Sequence, residues 1–335
     1  MSFLEILNTA ISGEPLRPRE MEAALIAIFE GEVPDVQAAA FLTALRVRGE
    51  TTEELLAAIR FLKIRALTIK APEGAIDCCG TGGDGISTVN ISTAVAIVVA
   101  GAGVPVAKHG SRAVTSKSGS SEVLSQLGVD LTETIDAQER RLADDGLAFL
   151  FAPNHHPVLA KVAPLRASLK FRTLFNILGP MMNPAQARRQ LLGVFDGRLA
   201  PHFAEVLRAE GSQHAWIVHG AGGMDELSLA GGNEVTELKD GAIRHFVVTP
   251  EDAGLIRRGN DSLVGGTPEE NAASLRAVLD GDEGAYRDAV LLNAAACMIV
   301  AGKTDNLRDG AALAAQSIDS GAARAKLSAL ASPKS

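Results

Sequence analysis

One stretch of this chain, from Asp77 to Glu122, constrains its fold and chemistry more than any other. It begins in a short apolar run, Ala75 to Cys79, that stops against Gly80, Gly82, Gly83 and Gly85. Such a run reads as a buried strand delivering the chain into a tight loop whose backbone N–H groups can face a ligand, and loops of this kind bind anions. Asn90, Ser92 and Thr93 precede a second apolar run, Ala94 to Ala100. They are therefore expected at the cap of a helix, where the positive end of the dipole adds to the same attraction. A second strand, Val104 to Ala107, leads into Lys108, His109 and Arg112. From Gly85 through Ser121 there is no acidic residue, although the 335-residue chain has a formal net charge of −8. Glycine amides, hydroxyls, a lysine and an arginine gathered without an opposing carboxylate predict a site for a multiply charged phosphate ligand.

Gly80-Thr-Gly-Gly-Asp-Gly85 also matches the dinucleotide fingerprint Gly-x-Gly-x-x-Gly. That site needs an acidic residue about 20 residues further on to hold a ribose, and here the next is Glu122, at the start of a new helix. A bare glycine turn leaves the hydroxyls, Lys108 and Arg112 without a role.

Residues 1–70 read as helices. Phe3-Leu4, Ile6-Leu7 and Ile11 recur at helical spacing, Met21, Ala24-Leu25 and Ile28-Phe29 share one face, Pro34 opens a third helix, and Thr51-Thr-Glu-Glu54 offers a capping box for a fourth running to about Leu67. Ala71-Pro-Glu-Gly74 is the exit linker. Beyond it strands and helices alternate: Leu147 to Phe151, Gln190 to Val194 and Ala215 to His219 read as strands, His202 to Ala209 as helix. The expected fold is α/β, a small all-helical N-terminal domain beside a larger domain with a central, mostly parallel sheet. Pro164 to Leu178, with Arg166 and Arg172, reads as a helix that rejoins the helical domain. The expected division is 1–70 with about 163–180, against 71–162 with 181–335, with a cleft between. His155-His156 is expected in a loop at the surface or as caps.

The acidic balance gives no general attraction to nucleic acid, and the longest apolar stretch, Val95 to Ala107, is interrupted by Gly101, Gly103 and Pro105 and is too short to cross a bilayer. The N-terminal stretch Met-Ser-Phe-Leu-Glu-Ile-Leu lacks the features of a signal peptide, so a cytoplasmic protein is expected, without a nucleic-acid or membrane partner. Cys78, Cys79 and Cys297 have no disulfide or zinc spacing and read as buried thiols.

In order and spacing the motifs resemble the anthranilate phosphoribosyltransferases, whose fold is similar to that of nucleoside phosphorylases. They are Gly80-Thr-Gly-Gly-Asp84, Asn90-Ile-Ser-Thr93, Lys108-His-Gly-x-Arg112, Arg172-Thr-x-Phe-Asn-x-Leu-Gly-Pro180 with Asn183-Pro184, Val218-His-Gly220 with Asp225-Glu226, and Leu292-Asn-Ala294. The family usually has Asn where Ser111 stands, Asp at Glu122 and Gly at Lys170. The resemblance implies a phosphoribosyl pyrophosphate site formed by Gly80, Gly83, Asp84, Thr88, Asn90, Ile91, Ser92, Thr93, Lys108, His109, Gly110, Ser111, Arg112, Ala113, Val114, Thr115, Ser116 and Ser120. It implies anthranilate contacts from Gly80, Ser111 and Arg166, Mg²⁺ held by Ser92, Asp225 and Glu226, and a homodimer formed through the helical domain.

The implied reaction displaces pyrophosphate from the donor by the amino group of anthranilate. An aromatic amine is already neutral at working pH, so no obligatory base is expected. Charge neutralisation on the leaving group, exclusion of water and positioning of the amine are what remain to be supplied. His109 stands either as a late proton acceptor or as a packing residue. Without the resemblance, Asp225 and Glu226 read as a solvated acidic turn and Arg166 as a helix-surface arginine. A nucleoside phosphorylase is the alternative enzyme, although its phosphate signature differs from this one.

Overall fold

The chain is described from a computed structural model whose described residues are 1–112 and 118–334, so the expected donor residues Ala113, Val114, Thr115 and Ser116 lie outside them. Four helices open it: α1 (Phe3–Ile11), α2 (Pro18–Phe29), α3 (Asp35–Arg48) and α4 (Thr52–Lys63). Their ends follow from local chemistry. Ser2 and Glu5 form a reciprocal capping box, Pro18 opens α2, and Thr51 and Glu54 form a second box. Glu54 does more than cap. Its buried carboxylate also accepts the Leu16 N–H at 2.8 Å and pairs with Arg48, which ties the turn before α2 and the end of α3 to the start of α4.

The strands are β1 (Ile76–Gly80), β2 (Val106–Gly110), β3 (Leu147–Phe151), β4 (Arg189–Gly193), β5 (His214–His219), β6 (Asn233–Lys239) and β7 (Ala242–Val248). They form one seven-stranded sheet in the order β3-β2-β1-β4-β5-β6-β7. β1 to β5 pair in parallel, and β6 and β7 close the sheet with antiparallel pairing. The helices between and after them are α5 (Ile91–Gly101), α6 (Ser120–Gln126), α7 (Ile135–Asp145), α8 (Ala152–His155), α9 (Ala163–Leu169), α10 (Leu174–Ile177) and α11 (Leu199–Ala209). The last four are α12 (Pro268–Leu279), α13 (Ala285–Val300), α14 (Leu307–Asp319) and α15 (Ala322–Ala331).

Both faces of the sheet are covered, as parallel sheets require. The period of two sends Leu191, Trp216 and Val218 into a core with α5, α13, α14 and α15, while Leu192, Ala215 and Ile217 face α11 and the N-terminal helices. Val162, Leu165, Leu174, Phe175, Ile177 and Leu178 join that second core. Each such side chain removed from water contributes about 1.5–3 kcal/mol.

Two local expectations are corrected. Pro164 to Leu178 is not one helix: α9 ends at Lys170, which adopts the left-handed conformation with φ of 54°, and α10 restarts behind a Thr173–Asn176 capping box. His155 and His156 are not at the surface. Both are buried, and His155 binds the Leu67 carbonyl and Gln138 Oε1 at 2.7 Å each, because the linker after α4 passes directly over it.

Candidate active site

The chain builds β1, β2 and β3 in one direction and β4 and β5 in the other, so the sheet has a switch point between β1 and β4. In open α/β sheets the crevice beyond the carboxyl ends of such strands is where ligands bind. Gly80 and Gly193, the last residues of these strands, are register partners, and the turn carrying Asp225 crosses over both. A Cβ on Gly80 would fall 2.3 Å from Asp225 Oδ2, and one on Gly193 only 1.4 Å from the Asp225 carbonyl oxygen. Glycine at both strand ends is what lets the turn lie down on the sheet.

That turn delivers two carboxylates to the glycine loop and to the start of α5. The Gly82 N–H donates to Asp225 Oδ2 at 2.6 Å, and the Ser92 N–H donates to Glu226 Oε1 at 2.9 Å. Burial, then the nearby Asp84 charge, pushes Asp225 up to about 6; burial and Asp225 together raise Glu226 well above the usual carboxylate range. Lys108 is buried beneath, with Nζ donating to the Cys78 carbonyl at 2.8 Å and to Ser92 Oγ at 3.2 Å. Two half-buried, mutually repelling carboxylates with one oxygen each held by a backbone N–H leave Asp225 Oδ1 and Glu226 Oε2 to a ligand. Oxygen donors in this number suit Mg²⁺, which takes one or two carboxylates and keeps several waters for substrate phosphates. Among the described residues no cluster of three or more His, Cys, Asp or Glu could cage a metal, so an ion here would share its shell with a ligand.

The carboxylates open onto a cavity of about 300 Å³ whose far wall comes from α8, α9 and α10. Arg166 on α9 lines it; burial alone lowers its guanidinium from the ordinary value, and no carboxylate among the described residues pairs with it. Arg172 lies over the Phe195 ring, 3.9 Å from its centroid. Its guanidinium is lowered by burial and by Arg46, and partly restored by Asp225 and Asp84. His109 Nδ1 is 3.1 Å from the Gly179 carbonyl, which can only accept, so this nitrogen carries the hydrogen and Nε2 is left buried and unpartnered among the described residues. Burial and the neighbouring His156 and His155 hold it down to about 3.

Glycine loop, carboxylate pair and an arginine with no carboxylate partner among the described residues thus share one cavity, and similarity to known proteins agrees with that arrangement. Residues 72–324 match the model of the glycosyl transferase family, a/b domain, and residues 4–64 that of the glycosyl transferase family, helical bundle domain. The chain is 49% identical over 330 residues to the anthranilate phosphoribosyltransferase of Rhodopseudomonas palustris (strain HaA2), covering 98% of each. The chain belongs to the anthranilate phosphoribosyltransferase family. The crystal structure of anthranilate phosphoribosyltransferase from Thermus thermophilus superposes with a TM-score of 0.91 at 42% identity, covering 97% of this chain and 98% of that one. The Saccharomyces cerevisiae enzyme in complex with PRPP and Mg gives a TM-score of 0.90 at 29% identity, covering 98% and 96%.

Within this anthranilate phosphoribosyltransferase fold most of the residues singled out from the sequence line the cavity: Gly80, Gly83, Asp84, Thr88, Asn90, Ser92, Lys108, His109, Gly110, Ser111, Arg112, Ser120, Arg166, Asp225 and Glu226. The side chains of Ile91 and Thr93 do not; both are buried, and Thr93 Oγ1 has no partner among the described residues. The expected hydroxyl cap is corrected too. No side-chain oxygen of Asn90, Ser92 or Thr93 caps α5, and Glu226 supplies an acceptor from a distant turn instead. Arg112 is exposed. The sequence reading missed His156, Arg172, Phe175 and Asn176 as part of the wall. The motif Arg172-Thr-x-Phe-Asn was the available signal for three of them, and nothing in sequence marks His156.

Proposed function

We propose that this chain transfers the phosphoribosyl group of 5-phosphoribosyl 1-pyrophosphate to the amino group of anthranilate, giving N-(5-phosphoribosyl)anthranilate and pyrophosphate, the second step of tryptophan biosynthesis from chorismate. The observation that carries this reading is that one cavity is lined both by the Asp225–Glu226 pair and by Arg166, with which no carboxylate among the described residues pairs. One end suits a metal pyrophosphate, the other an aromatic carboxylate, which a guanidinium can pair with bidentately.

In this mechanism, with the Gly82 and Ser92 N–H groups held by Asp225 and Glu226, the remaining backbone N–H groups of the glycine loop hold the donor phosphates near the positive end of α5. Asp225 and Glu226, with Ser92, would hold Mg²⁺, which when bound neutralises charge developing on the leaving pyrophosphate. Arg166 orients anthranilate with its amine toward the anomeric carbon, and Ser111, exposed in the lining of the same cavity, is the second expected contact. The amine carries its own lone pair, and His109, held down to about 3, takes no assigned role as a base. The contacts expected of Gly80, Gly83, Asp84, Thr88 and Ser120 belong to the same reading.

The division into a helical domain of 1–70 with about 163–180 and an α/β remainder is part of this proposal, supported by the shared core of α1 to α4 with residues 162–178. So is a homodimer through the helical domain, supported by the exposed Leu4, Ile11, Val36 and Val47 on its helices, as is a cytoplasmic location. Loss of anthranilate fluorescence on addition of the purified chain, donor and Mg²⁺ tests the activity; no consumption under any of these conditions rejects the acceptor. Sedimentation at micromolar concentration tests the dimer.

A further inference from the structure

The donor-loop segment from Ser87 to Asn90 is held by residues almost 180 positions away. The Ser87 carbonyl accepts the Gly265 N–H at 2.8 Å, the Val89 N–H donates to the Leu263 carbonyl at 2.9 Å, and Thr88 pairs with Val264 in an antiparallel bridge. The two backbones touch: a Cβ on Gly265 would lie 2.8 Å from the Thr88 carbonyl oxygen. Past this ribbon two side chains converge on Asn90. Asn271, buried at the start of α12, donates Nδ2 to Asn90 Oδ1 at 2.9 Å and accepts the Gly266 N–H at 2.8 Å. Tyr286, at the start of α13, donates its hydroxyl to the Asn90 carbonyl at 3.0 Å. Asn90 Nδ2 in turn reaches the Ser118 carbonyl at 3.4 Å, on the far side of the second binding loop.

Asn90 therefore spends its amide and its carbonyl on the protein. It joins the glycine loop, the segment that follows the Lys108 loop, and two anchors, Asn271 and Tyr286, that do not line the cavity. We propose that Asn271 and Tyr286 are positioning residues for the phosphoribosyl donor, acting through Asn90 to hold the end of the glycine loop and the segment at Ser118 in place before the donor arrives. The inference rests on the reading of these loops as the donor site. Its physical basis is preorganisation: a segment already held in place does not charge its ordering entropy to binding, and the anchors do not line the cavity.

The test compares wild type with Tyr286→Phe, which keeps the ring and removes only the hydroxyl, and with Asn271→Ala. Calorimetric titration with 5-phosphoribosyl 1-pyrophosphate and Mg²⁺, without acceptor, reads the loops alone; steady-state kinetics reads both substrates. Loss of one such hydrogen bond is expected to weaken donor binding about five- to tenfold, with KM for anthranilate and kcat at saturation within about twofold of wild type. A donor affinity unchanged in Tyr286→Phe overturns the proposal, whatever happens to its melting temperature. So does a parallel rise in both KM values with a fall in kcat, which marks general slackening. If wild type binds the donor without consuming anthranilate, the proposed acceptor fails while the calorimetric comparison still decides this inference. If wild type does not bind the donor, both fall.

Discussion

Glu226 accepts the backbone N–H of Ser92 at 2.9 Å, so a carboxylate from the turn after β5 caps the helix that follows the glycine loop. One oxygen is structural and the other is open to the cavity, which makes cap and charge separable. Glu226→Gln keeps an acceptor for Ser92 and removes the charge. Because burial and Asp225 already raise the Glu226 carboxyl, the metal-free variant should melt no lower than wild type. The rise in melting temperature that Mg²⁺ and pyrophosphate give wild type should shrink, and turnover at limiting metal should fall by at least about tenfold. Glu226→Ala should also lose about 1 kcal/mol with the cap. Full activity of Glu226→Gln at limiting Mg²⁺ would remove the metal assignment.

Arg166 is a cation that burial alone perturbs, with no carboxylate beside it among the described residues. A charge-assisted hydrogen bond is worth about 1.5–3 kcal/mol, so Arg166→Ala should raise KM for anthranilate roughly 10- to 100-fold. KM for the phosphoribosyl donor should move far less. Equal increases in both would point to damage where α9 packs on the helical domain.

Ser111 is exposed at the cavity edge, where the family usually carries asparagine. A hydroxyl reaches less far than an amide, so it should meet the aromatic substrate weakly or through water. Ser111→Asn should lower KM for anthranilate by up to about tenfold and leave the donor unaffected. A loss of affinity on introducing asparagine would show a pocket shaped around the smaller residue.

Legibility of this chain followed the range over which its signals act. The run from Ala75 to Gly85 announced a strand and a glycine loop at its end because both are written within a few residues. The antiparallel pair β6–β7 was equally local: Asp240-Gly241, both at positive φ, is a hairpin turn signal that the sequence reading passed over. What could not be read is non-local. Nothing near Ser92 says that its N–H will be capped from position 226, and nothing near Asn90 points to Asn271 or Tyr286. His155 and His156 look polar in sequence and are buried because residues distant in sequence meet them, the linker at Leu67 over His155 and the His109 ring against His156.

His109 and His156 give the fold a pH dependence with a definite sign. Burial first, and neighbouring imidazoles second, lower them from 6.5 to about 3 and about 4. Above pH 6.5 both are neutral folded or unfolded. Below it the unfolded chain binds protons that the folded chain refuses, so stability falls as pH drops from about 6.5 toward 4, by about 1.4 kcal/mol per pH unit for each histidine. Asp225 and Glu226, raised when metal-free, act in the opposite direction, so the difference between wild type and His156→Gln is the quantity to follow. Denaturant melts at pH 7, 6 and 5 should show the gap between the two closing or reversing toward acid. A constant gap would show that His156 is not held neutral.

Lys170 adopts φ of 54° and ψ of 17° at the end of α9, a conformation that favours glycine, which the family usually places there. The break has a function. On an uninterrupted helix Arg166 and Arg172, six positions apart at about 100° per residue, would point about 120° away from each other; broken at Lys170, the chain turns both into the cavity. The lysine side chain is exposed and makes no hydrogen bond or ion pair among the described residues, so Lys170→Gly should cost no contact. Left-handed backbone costs a side-chain-bearing residue about 1–2 kcal/mol, and the extra freedom of glycine in the unfolded chain takes back about 0.5–1 kcal/mol. The variant should therefore be more stable by about 0.5–1 kcal/mol, raising the melting temperature by about 1–3 °C, with both KM values unchanged. A lower melting temperature would mean that Lys170 holds the break by an interaction of its own; a changed KM for anthranilate would mean that the strained residue, and not the break alone, sets the position of Arg166.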